Sequence, residues 1–340
     1  MPNIATSWVQ THPSFMEPDF IVQYNQASGA FNALAGGNPR VKIGSEDKQV
    51  FIKTLMLSSK VSSSAGWANQ LPSATVVPAM ISFPTYLNRT RAEYDHHDTA
   101  QMGIWGLNIA LAQSLAMRQG HFQHLRYMLL NGNLPGNGEG LLNTNAATSV
   151  NLPSDSFGNS SVRTYDNGQM AQFFLSQLLA TKQRTYQLGQ PARFTILGPQ
   201  RTLGQFEYNI VQLTSYQRVG AGTDSTKGVL VNVAGMNGDT IEWCYDDTLQ
   251  NQSGAGVDTV LIVMPEVEKP KIQNPTINTN AFAELTPSMN ACTLMYTDMA
   301  APREIPTPIP GGAIDIVSEI RASPGVGVRP EGVTIVFMTY

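Results

Sequence analysis

One interruption constrains this chain more than any other feature. Val50-Phe51-Ile52-Lys53-Thr54-Leu55-Met56-Leu57 and the stretch from Thr75-Val76-Val77 to Ile81-Ser82-Phe83 both read as strands. Ser58 to Ala74 between them is rich in Ser, Ala and Gly and holds Trp67. A connection that long without structure of its own is unusual inside a compact domain. The two runs therefore predict a long two-stranded projection with a flexible tip. A free two-stranded hairpin is marginal in water, so this one needs a partner to rest on. A lone exposed Trp at such a tip leaves unburied an area worth a few kcal/mol. Trp67 is expected to bury on a neighbouring subunit rather than fold back on its own hairpin.

The flanking segments point the same way. Roughly the first 45 residues show no sustained period, yet Phe15, Phe20, Ile21 and Val22 sit among Pro13, Pro18, Gly29, Gly36 and Gly37. A disordered tail and an extended arm both fit. The apolar content favours an arm ordered by lying on neighbours, since linkers carry few large apolar residues; Phe15 and Phe20 are its expected contacts. Asp98-Thr99-Ala100-Gln101 reads as a capping box opening a helix to about Asn131. Trp105, Ile109, Ala112, Ala116, Phe122, Leu125 and Leu129 fall near one face, and the helix would span about 45–50 Å. Gly103, Gly106 and Gly120 each weaken it by about 1 kcal/mol relative to Ala, so packing must hold it.

A glycine-rich loop, Gly136 to Gly140, leads to Leu141-Leu142-Asn143. A second helix runs from Asp166 as N-cap to about Tyr186, lined by Met170, Phe173, Phe174 and Leu178. The rest reads mainly as β: Arg193–Leu197, Asp258–Met264, Ile314–Ile320 and Val333–Phe337. Val229–Val233 and Thr240–Tyr245 flank Asn237-Gly238 and read as a hairpin. The class is α+β.

Composition narrows the function. Charged residues are 14% of the 340 residues, against about 25% in an average soluble protein. A sparsely charged surface is poorly protected against self-association. That suits a neutral secreted β protein or a subunit buried against copies of itself. Net charge is −4 and no Lys/Arg run occurs, which excludes a sequence-specific or high-affinity nucleic-acid binder. Met1 to Thr11 lacks the pattern of a signal peptide, and no apolar run reaches about 18 residues, so no membrane contact is expected. Cys244 and Cys292, far apart and in no CxxC pattern, fit a reducing cytosol; a bridge between them stays open.

No catalytic constellation stands out. In Asp95-His96-His97-Asp98, adjacent histidines in an extended stretch would face opposite sides, so only one could join a metal site. His121 and His124 share a helix face without a carboxylate to complete a site. The Gly136–Gly140 loop follows a helix, whereas a dinucleotide-binding loop follows a strand. Ser225-Thr226-Lys227 lacks the order of a phosphate-binding loop. No catalytic residue, cofactor or metal is expected, and the chain does not read as an enzyme.

The order of elements carries a resemblance. Its local echoes are Gly132 through Gly140-Leu141-Leu142-Asn143, then Phe194-Thr195-Ile196-Leu197-Gly198-Pro199, then Gly325-Val326-Gly327-Val328-Arg329-Pro330-Glu331-Gly332-Val333. With the arm, the projection and the long helix, these resemble the major capsid proteins of tailed bacteriophages with the Hong Kong 97 fold. The resemblance implies an N-terminal arm (1–44), an extended E-loop with peripheral-domain strands (45–97) and a spine helix (98–131). It further implies an axial domain (132–257), peripheral return strands (258–300) and a C-terminal segment on the axial domain (301–340). The implied function is a structural shell of hexamers and pentamers enclosing double-stranded DNA. The implied partners are the chain itself, decoration, scaffold and portal proteins, and packaged DNA touched non-specifically. The implied place is the virion, after synthesis in the host cytoplasm. An encapsulin-like nanocompartment shell shares the fold, and a β-rich secreted enzyme or adhesin is the second alternative.

Overall fold

The computed structural model describes residues 29–34, 39–58, 75–104, 108–185, 190–208, 210–212, 223–267 and 291–340. In chain order the elements are β1 (Arg40–Val41), β2 (Gln49–Ser58), β3 (Thr75–Pro84), β4 (Tyr86–Tyr94), α1 (His96–Ile104), α2 (Ile109–Leu130) and β5 (Thr148–Asn151). They continue with α3 (Asn167–Arg184), β6 (Arg193–Gly198), α4 (Gln200–Tyr208), β7 (Ile210–Gln212), β8 (Thr223–Ser225), α5 (Thr226–Met236), β9 (Thr240–Tyr245) and β10 (Val257–Val263). Last come β11 (Thr293–Leu294), β12 (Tyr296–Thr297), β13 (Arg303–Ile309), β14 (Ala313–Ala322), β15 (Val326–Gly327) and β16 (Val333–Thr339). The chain is mixed α and β, as the sequence implied.

Two larger sheets organise the fold. One has the order β5-β16-β10-β6-β9, with β16 antiparallel to β10 and β6 parallel to β9. It is buried on both faces, which is why its central strands read as near-continuous apolar runs. Phe194, Ile196, Val260, Ile262 and Val336 face Met170, Phe174 and Leu178 of α3, Phe206 of α4 and Leu230 of α5. Leu197, Leu261, Val263 and Ile335 face the other way, onto Leu125, Met128, Leu129 and Leu130 of α2 and the turn holding Ala30, Phe31 and Leu34. The second sheet centres on β14, which pairs with β4 on one side and with β13 and β12 on the other. Ile320 and Ala322 of β14 join the same core as α2, so α2 is wedged between the sheets.

Strand membership cuts across the boundaries drawn from sequence. β10 opens the 258–300 segment but is central in the sheet that otherwise belongs to 132–257. Within 301–340, β13 and β14 join the sheet of β4, and only β16 joins the other. Neither pairing follows from local patterning, because both are long-range.

Three local readings are corrected. The first helix opens one turn earlier than Asp98. The Asp95 carboxylate accepts from the His97 and Asp98 amides (both 2.8 Å), and Asp98 accepts back from the Asp95 amide at 3.2 Å. His96 and His97 are thus helical rather than extended, and their ring centroids lie 3.9 Å apart instead of on opposite sides. The expected single helix from Asp98 to Asn131 is two. Asn108 caps α2 by accepting from the Leu111 amide at 3.2 Å, and its 22 residues span about 33 Å. The buried face of α2 is Met117, His121, Leu125, Met128, Leu129 and Leu130, while Ala112, Ala116 and Phe122 are exposed; Trp105 lies outside the described residues.

The hairpin around Asn237-Gly238 is a helix exit. Val229–Val233 lies inside α5, whose N-cap Ser225 accepts from the Gly228 amide. At the other end the Gly238 amide donates to Gly235 and the Asp239 amide to Ala234, with Gly238 left-handed at φ +76°. That is the Schellman exit that glycine after a helix permits. β9 then pairs in parallel with β6. The Asp166 cap and the end of α2 at Asn131 and Gly132 fall where the sequence placed them.

A buried carboxylate ties β10 of the first sheet to α4. Asp258 is fully buried and accepts from Arg201 Nε at 2.8 Å, from the Thr202 hydroxyl and from the Asn251 amide at 3.0 Å. Burial alone would raise its pKa, but these partners outweigh it and hold the group below the ordinary carboxylate value. A carboxyl depressed in the fold contributes its full stability above its unfolded pKa of about 4 and loses it as pH falls toward the folded value. Urea midpoints at fixed ionic strength are therefore expected to decline as pH drops below about 4. Asp258→Asn should be less stable at neutral pH and show a flatter acid limb.

Candidate assembly surface

The projection is present as β2 and β3, paired antiparallel from Gln49 opposite Pro84 to Ser58 opposite Thr75. Its root is anchored: Ile52 and Phe83 are buried with Leu294 and Tyr296, and the Phe83 and Tyr296 rings stack at 6.2 Å. Beyond the root the chain leaves the core. Phe51, Val76, Val77 and Met80 are 56, 59, 53 and 62% exposed. Opposed residues share a face, so Phe51, Val76 and Met80 lie on one side and Val77 with Ile81 on the other. Fully burying one such side chain is worth about 1.5–3 kcal/mol. A hairpin with apolar residues on both faces is built to be covered.

Phe15, Phe20 and Trp67, the contacts expected from sequence, lie outside the described residues, as does the tip from 59 to 74. The exposed set on the hairpin stem is additional to those three residues. Its signal was legible in Val76-Val77-Pro78-Ala79-Met80-Ile81, where apolar residues occupy both alternating positions.

The quoted glycine segments converge at the end of α2. The Gly140 amide donates to Gly325 O at 2.8 Å, and the Gly325 amide to Met128 O at 3.1 Å. Asn143 donates from Nδ2 to Asn131 O and Glu139 O. The buried Glu139 carboxylate accepts from the Tyr86 hydroxyl at 2.8 Å and from the Asn133 and Leu134 amides at 3.2 and 2.9 Å. Burial, and the Glu139 carboxylate beside it, push the Tyr86 hydroxyl up to about 12. The junction thus fixes β4, which follows directly from the hairpin, against the loop leaving α2.

His121 and His124 tie α2 to the second sheet. His121 Nε2 meets Ser318 O at 3.2 Å, and His124 Nε2 meets Asn88 Oδ1 at 3.1 Å. Burial lowers the His121 pKa. Among the described residues no three His, Cys, Asp or Glu side chains gather as a metal site. Cys244 and Cys292 are buried and form no disulfide, and burial pushes the Cys292 thiol up to about 12.

The fold as a whole, with its hairpin standing out from the core and a helix wedged between two sheets, is similar to that of phage capsid structures. The capsid of Myoviridae phage XM1 is similar over 98% of this chain and 98% of that one, with a TM-score of 0.68 and 10% identity. A cyanophage P-SCSP1u capsid structure matches over 96% and 93%, at TM-score 0.57 and 11% identity. A structure from Gordonia phage Cozz matches over 99% and 94%, at 0.56 and 11%. No protein-family model matches the chain, and no curated protein does.

Proposed function

We propose that this chain is the major head protein of a tailed phage. Its copies assemble into hexamers and pentamers of an icosahedral shell around double-stranded DNA. The observation that carries this reading is the end-to-end match to a capsid subunit, 98% of both chains. The role is structural and not enzymatic. Decoration, scaffold and portal proteins are the partners this role entails, contact with packaged DNA is non-specific, and the protein is made in the host cytoplasm before joining the virion. On this reading 1–44 is the arm and the β2–β3 hairpin the E-loop. The β4–β14–β13 sheet with α2 forms the peripheral part, and the β5-β16-β10-β6-β9 sheet the axial part. Negative-stain images of the purified protein, with sedimentation velocity, test it. Closed shells, hexamers or pentamers are expected; a stable monomer at every concentration and salt overturns it.

The hairpin should matter between subunits and not within one. Phe51→Asp with Met80→Asp is expected to leave the melting of isolated subunits within about 0.5 kcal/mol, as at other exposed sites, and to abolish or sharply reduce shell yield. Normal yield beside a lowered subunit melting temperature would show that the stem instead folds back on its own chain.

A further inference from the structure

β13 reads Arg303-Glu304-Ile305-Pro306-Thr307-Pro308-Ile309 and pairs only with β14 among the described residues. Every residue from Arg303 to Ile309 has a partner, Arg303 opposite Glu319 through Ile309 opposite Ala313. Proline has no amide hydrogen, so a proline facing β14 would remove a rung. An unbroken ladder therefore requires the odd-numbered residues to bond β14 and the even-numbered ones to face outward. The outward backbone positions are Glu304, Pro306 and Pro308. They offer three carbonyl oxygens but a single N–H, at Glu304.

We propose that Pro306 and Pro308 close this edge to strand addition by a second copy of the chain. Pro306, Thr307 and Pro308 are exposed, and Ile305 is 39% exposed. A bare, partly apolar edge of this length is a template for pairing with another chain. The low charge of the sequence adds little repulsion to prevent it. An incoming strand would find acceptors without donors, and its own carbonyls would be left unpaired against the prolines. Copies of this chain can then meet here through side chains but not through a continuous sheet. The inference rests on the ladder and not on the capsid reading, so it holds whatever the chain assembles into.

Pro306→Thr, Pro308→Thr and the double variant test it in the full-length chain. The double variant is expected to give about tenfold more pelletable, thioflavin-positive material than the unaltered protein at equal concentration. In the soluble fraction of each single variant, the amide introduced at 306 or 308 should exchange its hydrogen as fast as an unstructured peptide. Thr307→Pro, which removes a hydrogen facing β14, should lower the urea midpoint well below either single variant. An introduced amide protected from exchange would mean that the position faces β14 and would overturn the proposal. So would a folded double variant that pellets no more than the unaltered chain. If the double variant does not fold, the single-variant exchange rates decide.

Discussion

Gly140→Ala is expected to leave little folded protein. Gly140 has φ +86° and ψ 150°, a combination held almost only by glycine and costing other residues about 1–3 kcal/mol. A methyl group there would also lie 2.5 Å from the Leu130 oxygen and 2.6 Å from the Gly132 nitrogen. Those are backbone atoms at the end of α2 and cannot swing aside. Overpacking of this kind adds about 1–3 kcal/mol. The combined loss, about 2–6 kcal/mol, is a large share of the 5–15 kcal/mol that holds a typical domain. Two other glycines separate the causes. Gly158 is left-handed at φ +86° but has open space where a methyl would sit, so Gly158→Ala should lose only the strain, about 1–2 kcal/mol. Gly136, four residues before Gly140, has neither strain nor a neighbour within 4 Å, and Gly136→Ala should stay within about 0.5 kcal/mol. Urea midpoints and soluble yields of the three variants give the ranking. Equal loss at Gly136 and Gly140 would show that the close crossing of this loop over the end of α2 is not what makes Gly140 necessary.

That crossing explains why the glycine segments were legible without their purpose being so. Gly132, Gly140 and Gly325 stood out in the chain, and all three meet at one place. Nothing local reveals that Gly325 approaches Leu129 from nearly two hundred positions away. Strands β6, β10 and β16 were legible because burial leaves apolar runs of strand length. The same kind of run failed at Val229–Val233, where the Ser225 cap outweighs β-branched composition and the helix closes through Gly238. At Asp95 and Asp98 both residues suit a cap, and only the geometry of the His97 and Asp98 amides selects the first. The exposed hairpin stem was foreseen as a projection, since its two runs have no compact connection. Which of its residues are exposed depended on where the root ends, at Ile52 and Phe83, and that is set by β11 and β12 far along the chain.

Lys182→Met is expected to be strongly destabilising, through an ion pair between α3 and the exit of α5 that is hidden from any sequence reading. Lys182 in the last turn of α3 donates to both oxygens of Asp239, at 2.7 and 3.0 Å, and both side chains are nearly without solvent, 4 and 6% exposed. Asp239 also accepts from the Ala192 amide at 2.8 Å, and the Thr240 amide donates to Ala192 O. One carboxylate thus clamps the end of α3, the exit of α5 and the starts of β6 and β9. Methionine keeps the length of the lysine stem, so packing changes little. The variant instead leaves a buried carboxylate facing one amide, at a cost of about 3–5 kcal/mol. Removing both charges should be milder. In Lys182→Met with Asp239→Leu the uncompensated charge is gone, and what remains is the orphaned Ala192 N–H, about 1–3 kcal/mol. Denaturant melts of the two single variants and the double variant complete the cycle. The double variant should unfold later than Lys182→Met alone. If it unfolds earlier, the cost of breaking the pair lies in lost contacts between α3, α5 and β6 and not in the stranded charge.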